Sequence, residues 1–205
     1  LITEAIHKPN HNEKSVNSIG DYIRNSRNCH WSYFVEDSEN ASYAIGSHRV
    51  RDSYDLTAID AEYSYFCGGA IRDYKVMFSE MVEDSHDVEY SNLCFNCHDI
   101  FGCIGLRNKS FCIFNRQYDE KEYWNMVDKI KNKMLADGEY GEYFPQKLSP
   151  FPYNISLIAS YKGYDDLEIA KKLGYWVENI KEEASEVADE VINSDQVPED
   201  ISDTK

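Results

Sequence analysis

The chain has 205 residues, of which 42% are hydrophobic, and a formal net charge of −16 at pH 7. This length and hydrophobic share suffice for one domain with a core and exclude a chain that is disordered throughout. The acidic balance, with no basic patch, opposes direct binding to nucleic acid. The sequence has no run of eighteen apolar residues and no secretory leader, which predicts a cytoplasmic or virion protein that is neither secreted nor bound to a membrane.

Residues 1–24 are assigned as an N-terminal lead-in, and residues 25–118 as a tandem array of repeats about twelve residues long. The 16 Tyr and 9 Phe of the chain favour strands over helices. The fifth position of each repeat is mostly apolar and often small, as an inward-facing ladder requires. These positions are Cys29, Ala41, Ser53, Tyr65, Met77, Val88, Ile100 and Cys112.

Asn or Asp opens six of the eight repeats and recurs at the fourth position. Examples are Asn25 and Asp37 at the first position and Asn28, Asn40 and Asp52 at the fourth. Both residue types tolerate the left-handed backbone conformation, so each of these positions is predicted to be a corner of the chain.

A twelve-residue unit is too short to bury a face by itself, so neighbouring units must stack. We therefore expect a mainly β fold, a small β-solenoid with α-helical C-terminal appendages. Two units, about 24 residues, are expected to close one coil, which gives about four coils and a height near 20 Å at about 4.8 Å per coil. The alternative is an antiparallel sandwich whose turns happen to be evenly spaced.

Residues 119–175 are predicted to hold a capping helix, a strap and a short second helix. Asp119 and Glu122 form a capping box, and a helical apolar stripe follows before Gly138 ends the helix. The stripe consists of Tyr123, Val127, Ile130 and Met134. The Pro- and aromatic-rich segment 140–153 predicts an extended strap over the solenoid. Asp165 with Glu168 is expected to cap a second helix over Leu167, Ala170 and Leu173, which ends at Gly174.

Residues 176–205 are predicted to form an acidic amphipathic helix and a polar tail from Ser194. The helix has one apolar stripe that needs a partner, formed by Trp176, Ile180, Ala184, Val187 and Val191. This stripe is the predicted interaction site. The expected occupant is a partner protein or another copy of the chain, and the solenoid of the same chain is the alternative.

The six cysteines of the chain include a cluster with metal-ligand residue types at Cys94, Cys97, His98 and Cys103, near His86 and Cys112. Zinc needs four converging ligands, and a single C-x-x-C supplies two. Buried thiols that fill the ladder are the preferred interpretation, with zinc as the alternative. Cys29-His30 and Cys97-His98 are adjacent along a strand and point to opposite faces, which disfavours a nucleophile and base pair. No catalytic residue, cofactor or metal is therefore predicted.

The aspartates, glycines and tyrosines of the repeats each allow a functional interpretation beside the structural one. Asp52, Asp55, Asp60, Asp84 and Asp87 are acids that a glycosidase would need in pairs, but turn chemistry explains them as well. Gly68-Gly69 and Gly102 with Gly105 lack the setting of a phosphate loop and are expected at corners or close contacts. The tyrosines allow an aromatic binding face and are also favoured strand residues: Tyr33, Tyr43, Tyr54, Tyr63, Tyr65 and Tyr90.

The segment from Cys94 to Tyr118 resembles an uncharacterised family of cysteine-rich short-repeat proteins with zinc-ribbon flanks, found in uncultured small-genome bacteria. The resemblance rests on Asn96-Cys97, on the run 101–109 and on the run 111–115. It continues through 139–145, 148–151 and 153–154, and weakly through 197–201. The flanking zinc-ribbon cysteine pairs are absent from this chain. The resemblance therefore implies a solenoid scaffold without a zinc-dependent role, and it implies no activity.

Together these features predict a non-catalytic structural or protein-interaction module that is part of a larger assembly, for which a virion is one candidate. One alternative is an acidic mimic of nucleic acid that binds a nucleic-acid enzyme. Residues 25–118 hold fourteen acids and eight bases, a net charge of only −6, which disfavours it. The other alternative is a hydrolase or lyase that uses a solenoid groove, for which two acids would have to meet in a cleft.

Overall fold

The computed structural model describes residues 10–149, 151–161 and 163–178. The chain divides into two units, Leu1–Phe144 and Pro145–Lys205. The first unit is a β-solenoid of about eight turns, which confirms the predicted fold class. Its stacking begins before residue 25, because Glu13 and Val16 already bridge to Arg24 and Arg27 in the next coil.

Ten strands form the solenoid wall, and neighbouring coils pair in parallel. Among the strands that the structure describes, only the last two pair antiparallel, as a hairpin. The strands are β1 (Ile19–Arg24), β2 (His30–Glu36), β3 (Glu39–His48), β4 (Arg51–Glu62), β5 (Tyr65–Glu83), β6 (His86–Glu89), β7 (Asn92–Phe95), β8 (His98–Phe101), β9 (Ser110–Ile113) and β10 (Arg116–Gln117).

One coil contains twelve residues, and the prediction of 24 is wrong. The strand register pairs Ala41 with Ser53, and Cys94 with Val82, at a separation of one repeat. Residues 24 apart, such as Cys29 and Ser53, are therefore two coils apart. Each repeat closes a full turn because it bends four times, at every third residue, whereas the prediction assumed only the two corners marked by Asn and Asp.

Each coil is a square whose sides are three residues long: one inward, one outward and one left-handed residue. The inward residues form four columns, numbered in chain order. Column 1 is Ile23, Val35, Ser47, Ala58, Ala70, Val82 and Cys94. Column 2 is Ser26, Ser38, Val50, Ala61, Asp73, Ser85 and Cys97. Column 3 is Cys29, Ala41, Ser53, Ser64, Val76, Val88, Ile100 and Cys112, and column 4 is Ser32, Ala44, Leu56, Cys67, Ser79, Ser91 and Cys103.

Two members of the predicted inward ladder point outward. Column 3 contains Ser64 and Val76 in place of Tyr65 and Met77. The register shifts between Thr57 and Ala58, so one coil is a residue short there. The predicted ladder has its eleven-residue step between Met77 and Val88 instead, so it is one residue out of phase at Tyr65 and Met77.

Serine is common in the core because its hydroxyl forms hydrogen bonds with backbone N–H and C=O groups that the strand pairing leaves free. The hydroxyl of Ser85 donates to the Glu83 carbonyl at 2.8 Å and accepts the N–H of Cys97, one coil further, at 3.0 Å. Ser91 accepts the N–H of Cys103 in the same way at 3.0 Å. Within the described residues no buried side-chain nitrogen or oxygen lacks a partner. Small polar side chains therefore bind the backbone N–H groups that point inward at the corners. An unpaired N–H at these buried positions would destabilise the fold.

The corners predicted at Asn and Asp are confirmed except at Asp73, which points inward in column 2, and the corners formed by other residue types were missed. Thirty non-glycine residues have positive φ among the described residues. Asn28, Asn40 and Asp52 stack as a hydrogen-bonded ladder, with side-chain distances of 2.9 and 2.7 Å. Tyr43 and Phe78 are left-handed as well, with φ of 55° and 49°. Aromatic residues seldom adopt this conformation, which carries an energetic cost for any residue with a Cβ, so propensity does not predict them as corners.

Helix α1 (Glu120–Asp137) follows the last hairpin and confirms the predicted capping helix. The side chain of Asp119 accepts the backbone N–H of Glu122, and Gly138 ends the helix with φ 75°. Tyr123 and Val127 are buried. Within the described residues, no helix is long and apolar enough to cross a membrane.

In the second unit, α2 (Leu167–Lys172) is capped by Asp166, and the prediction of Asp165 is one residue off. Asp165 instead accepts the backbone N–H of Gly163 at 3.0 Å. The Pro-rich segment is not uniformly extended, because 3-10 turns lie at Gln146–Leu148 and Tyr153–Ile155.

Candidate functional site

The corner that precedes column 4 forms a row of mostly aromatic residues along the solenoid, here called the aromatic corner. Its residues follow one another at the coil spacing, about 4.8 Å. The row is Trp31, Tyr43, Asp55, Phe66, Phe78, Tyr90, Gly102 and Phe114. Because every member is a left-handed corner residue, their side chains project from the same edge of the square.

The C-terminal half of the aromatic corner is covered by the chain itself. Phe78 and Tyr90 stack with ring centroids 4.8 Å apart, and Tyr140 packs edge-on against both. The Tyr90 hydroxyl accepts the backbone N–H of Gly141 at 2.9 Å. Helix α1 and the strap 139–144 thus cover this half with apolar side chains, which are Tyr123, Val127, Ile130, Met134, Tyr140, Tyr143 and Phe144. The predicted strap is confirmed as far as Phe144.

Glu89 anchors this cover with polar contacts. The ammonium group of Lys131 in α1 donates to one oxygen of the Glu89 carboxylate, and the Tyr140 hydroxyl donates to the other at 3.0 Å. Burial raises the pKa of Tyr140, as does the neighbouring Glu89 charge. The Tyr140 hydroxyl therefore keeps its proton and remains a donor to Glu89.

The N-terminal half of the aromatic corner is uncovered. Trp31 and Tyr43 are 55% and 54% exposed, whereas Phe78 and Tyr90 in the same row are 3% and 8% exposed. Large apolar side chains on the adjoining coils are exposed next to them. We call this set the uncovered patch: Trp31, Tyr33, Phe34, Tyr43, Ile45 and Tyr54. Tyr33 pairs with Ile45 in the β2–β3 register, so the patch extends across neighbouring coils.

The uncovered patch continues into the covered half through a shallow groove. Tyr43 and Ile45 line its outer end, Thr57 and Gly68 form its floor, and Tyr143 of the strap closes it. Tyr143 packs on Phe66 with ring centroids 4.7 Å apart. The groove therefore connects the patch with the place where the strap already binds, and Asp55 is the charged residue between Tyr43 and Phe66.

The corner before column 2, here called the charged corner, lies diagonally opposite the aromatic corner. Its charges alternate from coil to coil, in the order Asp37, Arg49, Asp60, Arg72 and Asp84. The Arg49 guanidinium hydrogen-bonds Asp60, and that of Arg72 hydrogen-bonds Asp84 and Glu83. The pKa values of Asp60 and Asp84 are lowered mainly by these hydrogen bonds. Alternating signs leave no continuous negative stripe here, which disfavours nucleic-acid mimicry by this surface.

Of the acids singled out in the sequence, Asp60 and Asp84 line one cleft, where Arg49 and Arg72 pair with them, and the other three lie at other corners. Asp60 and Asp84 belong to the charged corner, Asp52 and Asp87 to the corner before column 3, and Asp55 to the aromatic corner. Among the described acids, Asp73 has a distinct environment, because it lies in column 2 and is 3% exposed. Burial raises its pKa to about 7. Its carboxylate accepts the backbone N–H groups of Ile71 and Ser85, and the second of these contacts is the one that an internal serine makes to the next coil.

All six cysteines are free and buried, as predicted. Each thiol donates to a backbone carbonyl, for example that of Cys94 to Asn92 at 3.4 Å. Burial raises the pKa of Cys103 to about 11, which disfavours the nucleophilic thiolate. The imidazole of His98 is on the outside of the coil, hydrogen-bonded to Asp99 at 2.8 Å and stacked on His86. His98 therefore does not converge with Cys94, Cys97 and Cys103, which point inward. The described residues contain no group of three or more potential ligands placed for a metal ion.

Of the predicted interaction residues, only Trp176 is described. It is in a non-helical segment, where its indole N–H donates to the Ser149 carbonyl and its own carbonyl accepts from Tyr153, both at 2.9 Å. The predicted helix therefore does not start at Trp176. Ile180, Ala184, Val187 and Val191 lie outside the described residues, so their interaction role stays a prediction.

Neither models of known protein families nor curated proteins match this chain.

Proposed function

We propose that the chain is a non-catalytic protein-interaction module that forms part of a larger assembly and binds a protein partner through the uncovered patch. The observation that carries this proposal is the contrast within the aromatic corner. Phe78 and Tyr90 are covered by an amphipathic helix and a strap, whereas Trp31 and Tyr43 of the same row are half exposed. Large exposed apolar patches rimmed by polar residues commonly mark interaction sites, because soluble proteins bury most of their large apolar side chains.

Two further features support a binding role. The solenoid wall is rigid, because backbone hydrogen bonds join every coil to the next and four packed columns fill its centre. Aromatic side chains also contribute large contact areas and dominate the energetics of protein interfaces. A rigid row of aromatic residues therefore binds a partner with little loss of conformational freedom.

The chemistry of the described residues also favours a role without catalysis. Asp60 and Asp84 are held ionised by arginines, and the thiols are buried with raised pKa values wherever a shift is resolved. A general acid needs a proton at working pH, and a thiol nucleophile needs an accessible thiolate. Asp73 has a raised pKa, but its carboxylate is occupied by the backbone of its own and the next coil.

Site-specific photo-crosslinking in the cells that make the protein tests this proposal. A photoreactive phenylalanine replaces Tyr43 in the patch or, as a control, Tyr63, which has a similar φ of 52° and is 52% exposed at another corner. We expect one discrete cross-linked protein with the probe at position 43, lost when Trp31→Asn is added. Identical products from both positions, or none from position 43, would contradict the proposal.

A further inference from the structure

We infer that the partner of the uncovered patch is a second copy of this chain, and that two solenoids pair through this patch about a two-fold axis. This inference rests on the proposed function and names the occupant of the same surface. Three properties of the patch carry it: its area, its spacing and its place relative to the charges.

The area of the patch matches what a symmetric dimer needs. Five aromatic side chains and Ile45 are each between 43% and 61% exposed. A large aromatic side chain presents about 150–250 Å², so the patch offers roughly 500 Å² of apolar surface. When two copies pair, each contributes this area, and the total of about 1,000 Å² is the lower bound for a specific interface. A symmetric dimer in which each copy buries its patch therefore reaches this bound.

The spacing of the patch is complementary to itself. Its rows repeat once per coil, as the pairing of Tyr33 with Ile45 shows, and each row therefore advances by about 4.8 Å. A second copy presents the same spacing, so the side chains of one copy enter the gaps of the other along the whole patch.

The distribution of charge also favours a second copy. The patch contains no Lys, Arg or Glu, and Asp55 is the acid in its row. The charged corner is diagonally opposite, so pairing through the aromatic corner turns these charges away from the interface. Two acidic chains can therefore associate here with Asp21 and Asp55 as the acids at the edge of the contact, whereas pairing through most other surfaces would bring more like charges together.

The groove between the patch and Tyr143 shows how this surface packs when it is covered. On Phe66, the strap supplies a tilted aromatic ring at 4.7 Å, and Phe78 receives Tyr140 edge-on at 5.8 Å. Aromatic side chains of a second copy offer the same ring-to-ring contacts to Trp31 and Tyr43. The proposed interface thus continues a packing arrangement that the chain already uses.

Sedimentation equilibrium of the full chain over a range of concentrations tests the inference. The double variant Trp31→Asn with Tyr43→Asn removes the centre of the patch and keeps residues that tolerate left-handed corners. Tyr63→Asn is the matched control at a corner outside the patch. We expect a dimer for the natural chain and for the control. The double variant should have a Kd at least about 30-fold higher, as loss of interface hot spots produces. Its melting temperature should equal that of the natural chain at a concentration at which both are monomeric.

A natural chain that stays monomeric, or a dimer that the double variant leaves intact, would overturn the inference. The photo-crosslinking result separates this failure from failure of the proposed function. A cross-link from position 43 to a different protein, together with a monomeric purified chain, would support the interaction module. The same result would contradict a second copy as its partner. Absence of any cross-link from position 43 would contradict both the proposed function and this inference.

Discussion

The backbone N–H of Ser85 donates to the Asp73 carboxylate at 2.9 Å, in the same position where the N–H of Cys97 meets the Ser85 hydroxyl one coil further. Asp73 thus replaces an internal serine in a column that has serine at other coils. The replacement keeps the hydrogen bond and adds a buried carboxyl group. Its pKa is raised to about 7 by burial, well above the 3.8 of an exposed aspartate.

We expect Asp73→Ser to stabilise the solenoid above pH 7 and to flatten its dependence on pH. A raised folded pKa means that the folded state binds the proton more tightly, so this stabilisation is full below pH 3.8 and is lost as pH rises towards about 7. The loss amounts to at most about 4 kcal/mol, at about 1.4 kcal/mol per pH unit. Urea unfolding at pH 5 and pH 8 measures it. Asp84→Ser, at an exposed acid, is the control and should not stabilise the solenoid at pH 8.

Ser85→Ala should destabilise the solenoid by about 1–3 kcal/mol, because the buried N–H of Cys97 loses its acceptor. Ser42→Ala changes a serine on the outer side of the wall and should cost much less. Chemical unfolding of both variants provides the comparison. Equal losses would show that the internal hydroxyls do not satisfy the corners.

At Asn40, a left-handed corner with φ 51°, glycine should be better tolerated than valine. Both variants lose the side-chain bonds to Asn28 and Asp52, but valine also carries the steric cost of the left-handed conformation, about 1–2 kcal/mol. At Ser42, which is in strand β3, the order should reverse because valine favours strands. Thermal unfolding of the four variants tests this reversal, and the same order at both sites would contradict the corner assignment.

The six thiols should react with a thiol reagent only after unfolding, and purified protein should contain no stoichiometric zinc. The thiols are buried and donate to backbone carbonyls, and His98 is on the other side of the wall from Cys97. Absorbance kinetics with and without urea measure the first point, and elemental analysis measures the second. About one zinc per chain, or fast reaction of the folded protein, would contradict the assignment.

Truncation after Glu178 should leave the melting temperature of the solenoid unchanged, because its columns and their covering helix end before Phe144. The cut follows Glu178 because Trp176 and Glu178 hydrogen-bond to residues of the 149–154 segment. If the segment 179–205 contacts a partner, as its sequence predicts, light scattering should show a larger assembly for the full chain than for the truncated one. Equal masses would contradict this contact.

The sequence by itself determined the twelve-residue period and most of the positions at which Asn and Asp turn the chain. Asn28, Asn40 and Asp52 were recognised as one corner because few residue types accept positive φ at low cost. The helix after Asp119 followed from its capping box and apolar stripe. These features depend on local chemistry, which a single segment carries without its neighbours.

Only the tertiary structure decided how many residues close a coil, which side chains the fold covers and where the short coil lies. A twelve-residue period fits one repeat per coil as well as two, and the choice depends on corners such as Tyr43 and Phe78, whose residue types do not favour that conformation. These corners are stabilised by strand pairing and ring stacking between coils. Such contacts form between residues a full repeat apart, and for that reason no single repeat predicts that Trp31 is exposed while Phe78 is buried.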